Sequence, residues 1–292
     1  MIGGVVVIAV LVFLAARIFG GGGGFSGQFF AQVFSAAVSP TDTNVRLLGD
    51  VSGLYRTDDA GDNWDLVAGE DRPVYSVVSD PANPNIFFAA GEGFLLRSEN
   101  GGVDWQDVPT DLPSSNILSL ALDPADSRHM YAFLRHGGLY RTDDGGRTWE
   151  LANAVENASI TALAVKAGAP DVVYAFHTTR GFVRSDDGGR SFGAVSGGVP
   201  SQSVTSILTS ASDPERLFAI SARTVYRSGD DGQSWELTNV GLEQTAVIAI
   251  AADSATGDLY VADVQGFFYQ STDSGRAWSL SLERDPRGVG GG

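Results

Sequence analysis

The sequence contains no cysteine, and only one of its 19 basic residues, Lys166, is a lysine. The missing thiols exclude disulfide bonds, thiolate metal sites, cysteine nucleophiles and anchoring through a lipidated cysteine. Only three histidines are present, and His129, His136 and His177 do not have the spacing of metal ligands. No nucleotide-binding or nucleophile-elbow motif occurs either. We therefore expect neither a metal nor a cofactor.

Positive charge is also scarce, because 35 acidic residues give the chain a formal net charge of −16. An acidic surface repels phosphate backbones, so general binding to nucleic acid is disfavoured. The rest of the composition, with 43% hydrophobic and 18% charged residues over 292 positions, is typical of a globular protein. A chain of this length can bury a large core.

The one long hydrophobic run lies at the N-terminus. Residues 2–19 read IGGVVVIAVLVFLAARIF, with Arg17 as the only charged side chain. A helix of this length just reaches the lower limit for crossing a bilayer. Because the basic segment and cleavage site of a secretory signal are missing, we expect residues 1–19 to form an uncleaved transmembrane anchor. A cleaved signal and a buried helix are the alternatives. The glycine-rich residues 20–29 would form a flexible linker, and residues 284–292 a flexible tail.

A motif of about twelve residues recurs six times, and its strongest copy is GLYRTDDGGRTW at 138–149. The aromatic residues that close the copies are separated by 41, 44, 43, 43 and 43 positions. A period in the forties with short alternating apolar runs is typical of four-stranded propeller blades. The sequence therefore predicts an all-β, six-bladed β-propeller over residues 30–283, preceded by the transmembrane helix. The closing aromatic residues are Trp64, Trp105, Trp149, Phe192, Trp235 and Trp278.

The motif resembles the Asp box of the BNR-repeat family, Ser/Thr-x-Asp-x-Gly-x-Thr/Ser-Trp. The acidic side chain can accept hydrogen bonds from its own turn, the glycine tolerates positive φ, and the aromatic ring can be buried between neighbouring sheets. The resemblance implies a structural role for these positions and not catalysis or calcium binding. An asparagine in the second copy agrees with this role, because it keeps the turn bonds without the charge. The motif positions are Asp59, Asn100, Asp144, Asp187, Asp230 and Asp273.

Basic side chains are concentrated in the predicted loops between the second and third strands of three consecutive blades. These loops lie on the propeller face opposite the Asp boxes. Guanidinium groups bind carboxylates and phosphates through paired hydrogen bonds, so we expect a patch that binds an anion or an acidic partner. The alternative is that each arginine pairs with a nearby acid such as Asp111 or Glu156. The patch residues are Arg135, His136, His177, Arg180 and Arg223.

Enzymes with Asp-box propellers provide a competing interpretation. A sialidase requires a tyrosine nucleophile, and only Tyr75 lies outside the strand positions that repeat in every blade. We therefore expect no catalytic residue of this kind. A xyloglucanase-like endoglucanase requires two carboxylates at a defined separation. Asp50, Glu92 and Asp263 fall in loops of the neighbouring blades 6, 1 and 2, so a glycoside hydrolase remains an alternative.

The overall pattern is most similar to photosystem II stability/assembly factor-like proteins, although these typically have seven blades. The resemblance implies an exported propeller that binds protein partners through an arginine-rich face. We therefore expect a membrane-anchored scaffold, assembly or accessory subunit whose partner is an integral membrane protein or complex. An extracytoplasmic receptor or adhesin, as in sortilin-type receptors, is a further alternative. Arg17 favours a cytoplasmic propeller by the positive-inside rule, whereas the resemblance favours the extracytoplasmic side, which we adopt.

Overall fold

The structure is a computed structural model, and it describes residues 30, 32–80, 82–154, 159–197, 199, 203–210, 213–221, 223–253, 256–264 and 266–281. The predicted anchor, linker and tail lie outside these residues. Within them, 24 strands form six antiparallel sheets of four strands each, which confirms the all-β, six-bladed propeller. A helix long and apolar enough to cross a membrane is not found in this part of the chain.

The four strands of every blade follow one another along the chain and pair in that order. Blades 1 and 2 contain β1 to β8, at Val33–Val38, Arg46–Asp50, Gly53–Thr57, Asp65–Ala68, Val74–Ser79, Phe87–Gly91, Phe94–Ser98 and Gln106–Asp107. Blades 3 and 4 contain β9 to β16, at Ile117–Asp123, Asp126–Leu134, Gly138–Thr142, Glu150–Asn153, Ile160–Lys166, Ala169–His177, Gly181–Ser185 and Gly193–Ala194. Blades 5 and 6 contain β17 to β24, at Val204–Thr209, Leu217–Ser221, Thr224–Ser228, Glu236–Leu237, Val247–Ala252, Leu259–Asp263, Phe268–Ser271 and Ser279–Leu280.

The first strand of each blade lines the central channel and packs against the first strands of both neighbouring blades, including β1 against β21. Hydroxyl groups on these strands connect neighbouring blades. The Ser35 hydroxyl donates to the Val77 carbonyl at 3.3 Å and accepts from the Val77 amide at 3.0 Å. The Thr161 hydroxyl donates to the Val204 carbonyl at 2.6 Å. Neighbouring blades are thus hydrogen-bonded although no strand is shared between them.

Each Asp box is a closed hydrogen-bonded turn, as its third copy illustrates. Asp144 accepts hydrogen bonds from the Thr142 hydroxyl at 2.8 Å, the Thr148 amide at 3.0 Å and the Thr148 hydroxyl at 2.6 Å. The bonds from Thr148, hydroxyl first, hold the pKa of Asp144 at about 2. The other four aspartates accept the same bond from the Ser or Thr two residues earlier, and they are Asp59, Asp187, Asp230 and Asp273.

The second copy keeps this turn by exchanging the roles of two side chains. In the first blade, Asn63 donates its amide to the Asp59 carboxylate at 2.6 Å. In the second, Asn100 donates its amide to the Asp104 carboxylate at 2.8 Å, so donor and acceptor have changed places. Asn100 still accepts the backbone amide of Asp104 at 2.9 Å. The second turn therefore keeps one carboxylate in this hydrogen-bonded pair, but that carboxylate belongs to Asp104, four residues after the usual motif position.

The closing aromatic residue of each blade packs against the preceding blade. Trp149 of blade 3 is 8% exposed, lies in a cluster with Phe88 and Leu95 of blade 2, and donates its indole N–H to the Gly146 carbonyl at 2.8 Å. The motif glycine leaves the necessary space. At Gly232, where φ is +84°, a Cβ atom would lie 2.5 Å from the Phe182 ring of blade 4. The remaining aromatic residues pack in the same way, and they are Trp64 on blade 6, Trp105 on blade 1, Phe192 on blade 3, Trp235 on blade 4 and Trp278 on blade 5.

The junction between blades 6 and 1 contains one additional element, the buried side chain of Arg46. Its guanidinium donates to the Thr43 carbonyl at 2.9 Å and to the Ser281 hydroxyl at 2.7 Å. It also lies 4.9 Å from the centroid of the Phe268 ring and 5.6 Å from that of Tyr260. Burial lowers the pKa of Arg46 to about 10. Arg46 therefore joins the first blade to the end of the last.

We predict that Trp149→Ala lowers the free energy of unfolding by about 3–5 kcal/mol, because truncation of a buried aromatic leaves a cavity. Denaturant unfolding of the purified chain measures this loss. Leu151→Ala is the matched control, since Leu151 lies in the same blade but is 53% exposed. Equal losses in the two variants would contradict the packing described for Trp149.

The exchanged pair in the second Asp box predicts a thermodynamic cycle. Asn100→Asp places two carboxylates together and removes the amide donor, so we expect a loss of about 1 kcal/mol. Adding Asp104→Asn restores a donor and an acceptor, and the double variant should recover most of that stability. Thermal unfolding of the single and double variants measures the coupling. Additive losses would show that the two side chains act independently.

We further predict that Arg46→Met destabilises the chain by roughly 1–3 kcal/mol, because half-buried acceptors on Thr43 and Ser281 lose their donor. Hydrogen exchange should show the largest increase at β1 and β24, the strands on either side of the junction. Arg128→Met is the control, because Arg128 is exposed and pairs only within its own hairpin, with Asp126. An increase spread evenly over all blades would argue against a specific role at the junction.

Candidate functional site

The propeller has two chemically distinct faces. Because neighbouring strands run antiparallel, the hairpins between third and fourth strands lie on one face, here called the Asp-box face. The loops between second and third strands and the connections between blades lie on the other, here called the loop face. The second strands that lead into these loops end at Asp50, Gly91, Leu134, His177, Ser221 and Asp263. All five residues of the predicted basic patch lie in or beside these loops.

Arg135 is positioned at the mouth of the central channel. Its Nη2 donates a hydrogen bond to the Tyr75 hydroxyl at 3.1 Å, and the guanidinium lies 5.6 Å from the centroid of the Tyr75 ring. The Tyr75 ring in turn contacts the edge of Phe34, with a centroid separation of 5.2 Å. Both aromatic residues line the channel. The sequence placed Tyr75 outside the repeated positions, but its contact with an arginine of the next blade was not predicted.

His177 and Arg180 belong to one turn of blade 4. His177 Nδ1 accepts the backbone amides of Thr179 at 3.2 Å and Arg180 at 3.3 Å. Burial and the nearby Arg180 charge lower the pKa of His177, which favours the neutral ring that can accept these bonds. The Arg180 side chain donates to the Phe192 carbonyl. His177 thus stabilises the loop, while Arg180 extends toward the outer part of its own blade.

The other two patch residues are exposed to solvent. His136 lies in the loop that follows Arg135, and Arg223 forms the turn of blade 5 with φ at +67°. The Arg223 carbonyl accepts the Val247 amide at 3.2 Å, which fixes the backbone and leaves the side chain at the surface. The five residues therefore share three consecutive blades of one face without forming a single contact cluster.

Most ion pairs of the described residues lie on the Asp-box face, although Arg147, Arg190 and Arg276 of that face also have no acidic partner within 4.0 Å. Arginines at the end of the third strands pair with acids near the Asp boxes, and they are Arg56, Arg97, Arg141, Arg184 and Arg227. Lys166 pairs with Asp231 at 2.7 Å in the same region. In the described ranges, no ion pair within 4.0 Å involves the loop-face arginines Arg72, Arg135, Arg180 and Arg223.

Asp111 and Glu156 are the acids that could neutralise the patch according to the sequence. Asp111 accepts the backbone amide of Trp149 at 2.8 Å, and Glu156 lies outside the described residues. Arg72, which was not among the predicted patch residues, lies in the connection between blades 1 and 2. Its guanidinium is 4.7 Å from the centroid of the Phe94 ring. Four loop-face guanidinium groups therefore lack an acidic partner in the part of the chain that the structure describes.

The carboxylates considered for glycoside hydrolysis are placed differently. Asp50 is fully buried and accepts the Ser52 amide and hydroxyl at 2.5 and 2.6 Å. Asp263 is 6% exposed and accepts the Phe267 amide at 3.0 Å. Each of these two residues is the last residue of the second strand of its blade, which is the place that His177 occupies in blade 4. All three side chains accept hydrogen bonds from the turn that follows. Of this group, only Glu92 is exposed on the surface.

The central channel contains a cavity of about 230 Å³ lined by the first strands of all six blades. Its lining is mostly small, apolar or hydroxyl-bearing, and the charged members are Arg216 and Asp253. Asp253 accepts the Thr256 hydroxyl at 2.9 Å. The described residues contain no cluster of three or more side chains able to hold a metal ion. The loop face itself carries the exposed acids Glu70, Asp71, Glu92 and Glu243 beside its guanidinium groups.

Sequence comparisons find two kinds of relative. The family model for sortilin, neurotensin receptor 3, matches residues 93–222. Xyloglucanase Xgh74A of Acetivibrio thermocellus is 29% identical over 166 residues, which cover 48% of this chain and 19% of the enzyme. The photosystem II assembly lipoprotein Ycf48 of Synechococcus sp. strain CC9902 is 29% identical over 113 residues, or 36% of this chain and 32% of that protein. The chain therefore spans less than two thirds of the length of these two relatives.

Structural comparisons give the same two groups. The GH74 enzyme of Niastella koreensis aligns with a TM-score of 0.63 and 20% identity, covering 88% of this chain and 46% of the enzyme. YCF48 bound to D1 peptide aligns with a TM-score of 0.55 and 18% identity, covering 88% of this chain and 82% of that one. At these identities the likeness establishes the fold alone.

Proposed function

We propose that this chain, a member of the Asp-box β-propellers, is a membrane-anchored binding subunit that assembles with or supports a membrane protein complex. The observation that carries the proposal is the set of loop-face arginines that have no acidic partner among the described residues. On a protein with a net charge of −16, unpaired guanidinium groups on one face favour an acidic or carboxylate-bearing partner. Binding by this face is thus a matter of charge complementarity.

The contacts of Arg135 favour recognition of a protein segment. Its guanidinium is held over the Tyr75 ring and bonded to the Tyr75 hydroxyl, so less side-chain freedom is lost when a partner binds. Aromatic and arginine side chains are enriched among the residues that dominate protein interfaces. Arg180 and Arg223, on the next two blades, extend the basic surface beyond the channel mouth. An extended acidic segment fits such an arrangement better than a compact ligand does.

The similarities agree with this function. One relative is named a photosystem II assembly lipoprotein, and one structural neighbour is a YCF48 chain bound to a D1 peptide. We propose an integral membrane protein or complex as the partner. Residues 1–19 are proposed as the anchor, with the propeller on the extracytoplasmic side.

A tagged, full-length chain isolated from native membranes in mild detergent tests the proposal. We predict that an integral membrane complex is recovered in stoichiometric amount and identified by mass spectrometry. Arg135→Ala, Arg180→Ala and Arg223→Ala should each reduce that recovery, and the wild-type recovery should fall as salt is raised. Arg147→Ala is the matched control, because Arg147 is an exposed arginine of the Asp-box face.

Recovery of the same complex with all three loop-face variants at the wild-type level would remove the basic patch from the proposal. Recovery of the chain alone would contradict the complex-subunit function. The similarity to GH74 enzymes makes a glycoside hydrolase the second candidate, and hydrolysis of xyloglucan oligosaccharides by the purified chain would favour it. The burial of Asp50 and Asp263 leads us to expect no such hydrolysis.

A further inference from the structure

Exposed apolar side chains occur on the loop face of blades 6 and 1. Phe267 and Val264 lie in the loop of blade 6 and are 47% and 37% exposed, and Val51 in the loop of blade 1 is 38% exposed. Blades 6 and 1 are neighbours at the ring junction, because β1 packs against β21. We call these three residues the apolar sector. Single exposed apolar residues are ordinary, so their meaning depends on what lies beside them.

The chain enters the propeller at this same place. The Phe30 ring packs against the blade 6 loop so closely that a Cβ at Gly266 would lie 2.5 Å from it. Two residues later, the Gln32 carbonyl accepts the Val51 amide of the blade 1 loop at 3.1 Å. Residues 30 and 32 therefore lie between the two loops that carry the apolar sector. The proposed anchor must lead to this point.

The length of the intervening sequence limits how far the apolar sector can be from the anchor. Ten residues, 20–29, separate the hydrophobic run from Phe30. A fully extended segment of this length spans at most about 33–36 Å, and a flexible glycine-rich one averages roughly 17–19 Å. The bilayer that holds the proposed anchor would thus lie within about 36 Å of Phe30, whereas the Asp-box face points to the opposite side of the ring.

The exposed charges beside the apolar sector largely cancel, because Glu70, Asp71 and Arg72 lie together in the connection that the Asp71 amide ties to the Ser52 carbonyl at 3.0 Å. The carboxylates of Asp50 and Asp263 in the same two loops are buried and bonded to turn amides. The exposed acids of the Asp boxes lie on the other face. An anionic bilayer would repel these acids, so contact through the loop face keeps them away from the lipid. Aromatic and aliphatic side chains partition into the headgroup region to a depth of about 5–10 Å. This chemistry favours the lipid interface over an acidic protein segment at this sector.

We infer that the apolar sector rests on the bilayer that holds the anchor and fixes the tilt of the propeller. The inference rests on the anchor proposed above. Phe267 would insert among the lipid headgroups, with Val51 and Val264 at its sides. Arg135, Arg180 and Arg223, on blades 3 to 5, would lie farther along the same face from the attachment point. They would then meet extramembrane segments of the partner close to the membrane surface.

The absence of cysteine in the sequence makes a direct test possible. Val51→Cys and Val264→Cys in the full-length chain each provide one site for a nitroxide label and leave Phe267 intact. Val103→Cys is the control, because Val103 is 50% exposed in an Asp-box hairpin on the other face. The labelled chains are placed in nanodiscs that contain phosphatidylglycerol, and collision with oxygen and with a water-soluble nickel complex is measured by electron paramagnetic resonance.

We expect the labels at positions 51 and 264 to collide with the nickel complex several-fold less, and with oxygen more, than the label at 103. Adding Phe267→Ser should raise nickel accessibility at 264 toward the value at 103. If the chain co-elutes with nanodiscs but all three labels are equally accessible to nickel, the inference fails and the anchor stands. If the chain does not co-elute, the anchor fails and the inference with it. If the labels at 51 and 264 are protected from the nickel complex only after a membrane extract is added, a protein covers the apolar sector and the lipid assignment is overturned.

Discussion

Everything in this propeller depends on the contact between the closing aromatic residue of one blade and the apolar surface of the preceding blade. A four-stranded sheet has two apolar faces and cannot bury both alone, so each blade is stable only between neighbours. The Asp box serves this contact in three ways. Its carboxylate or amide fixes the turn, and its glycine admits the neighbour's side chain. In four of the six copies the glycine carbonyl also accepts the indole N–H of the closing tryptophan.

The same constraint explains the special chemistry at the ring junction. Five of the six interfaces join blades that are continuous in the chain, whereas the interface between blades 6 and 1 must bring together residues far apart in sequence. Contacts of that kind carry the largest loop-closure entropy. Here the stacking of Trp64 with Phe268 at 6.1 Å is reinforced by the bonds of Arg46 to Ser281. A buried guanidinium is expensive to desolvate, but its donors and two aromatic rings offset that cost.

The sequence was sufficient to predict the blade number, because a repeated motif reports the same local turn six times. The directions of side chains on the loop face could not be predicted. Arg135 contacts Tyr75 of another blade, and His177 accepts amides of its own turn, and neither contact follows from a local pattern. The hydrogen bonds of Asp50 to its own turn were easier to predict, since a short acceptor side chain at the end of a strand commonly binds the next backbone amides.

The Asp-box face and the loop face differ in how many of their arginines form ion pairs. On the Asp-box face, arginines and acids neutralise one another in hydrogen-bonded pairs, as Arg184 and Lys166 do with Asp231. Burial opposes ionisation of Asp231, but bonds from Lys166 and Tyr174 outweigh it and lower the pKa of Asp231. Most arginines of this face therefore already have an acidic partner. The loop-face arginines, in the described ranges, have no such pairing, and the backbone beneath them is fixed by turn bonds such as that from Val247 to Arg223. A face whose guanidinium groups lack acidic partners in the described ranges can bind an acidic segment at low ordering cost, because turn bonds have already positioned its loops.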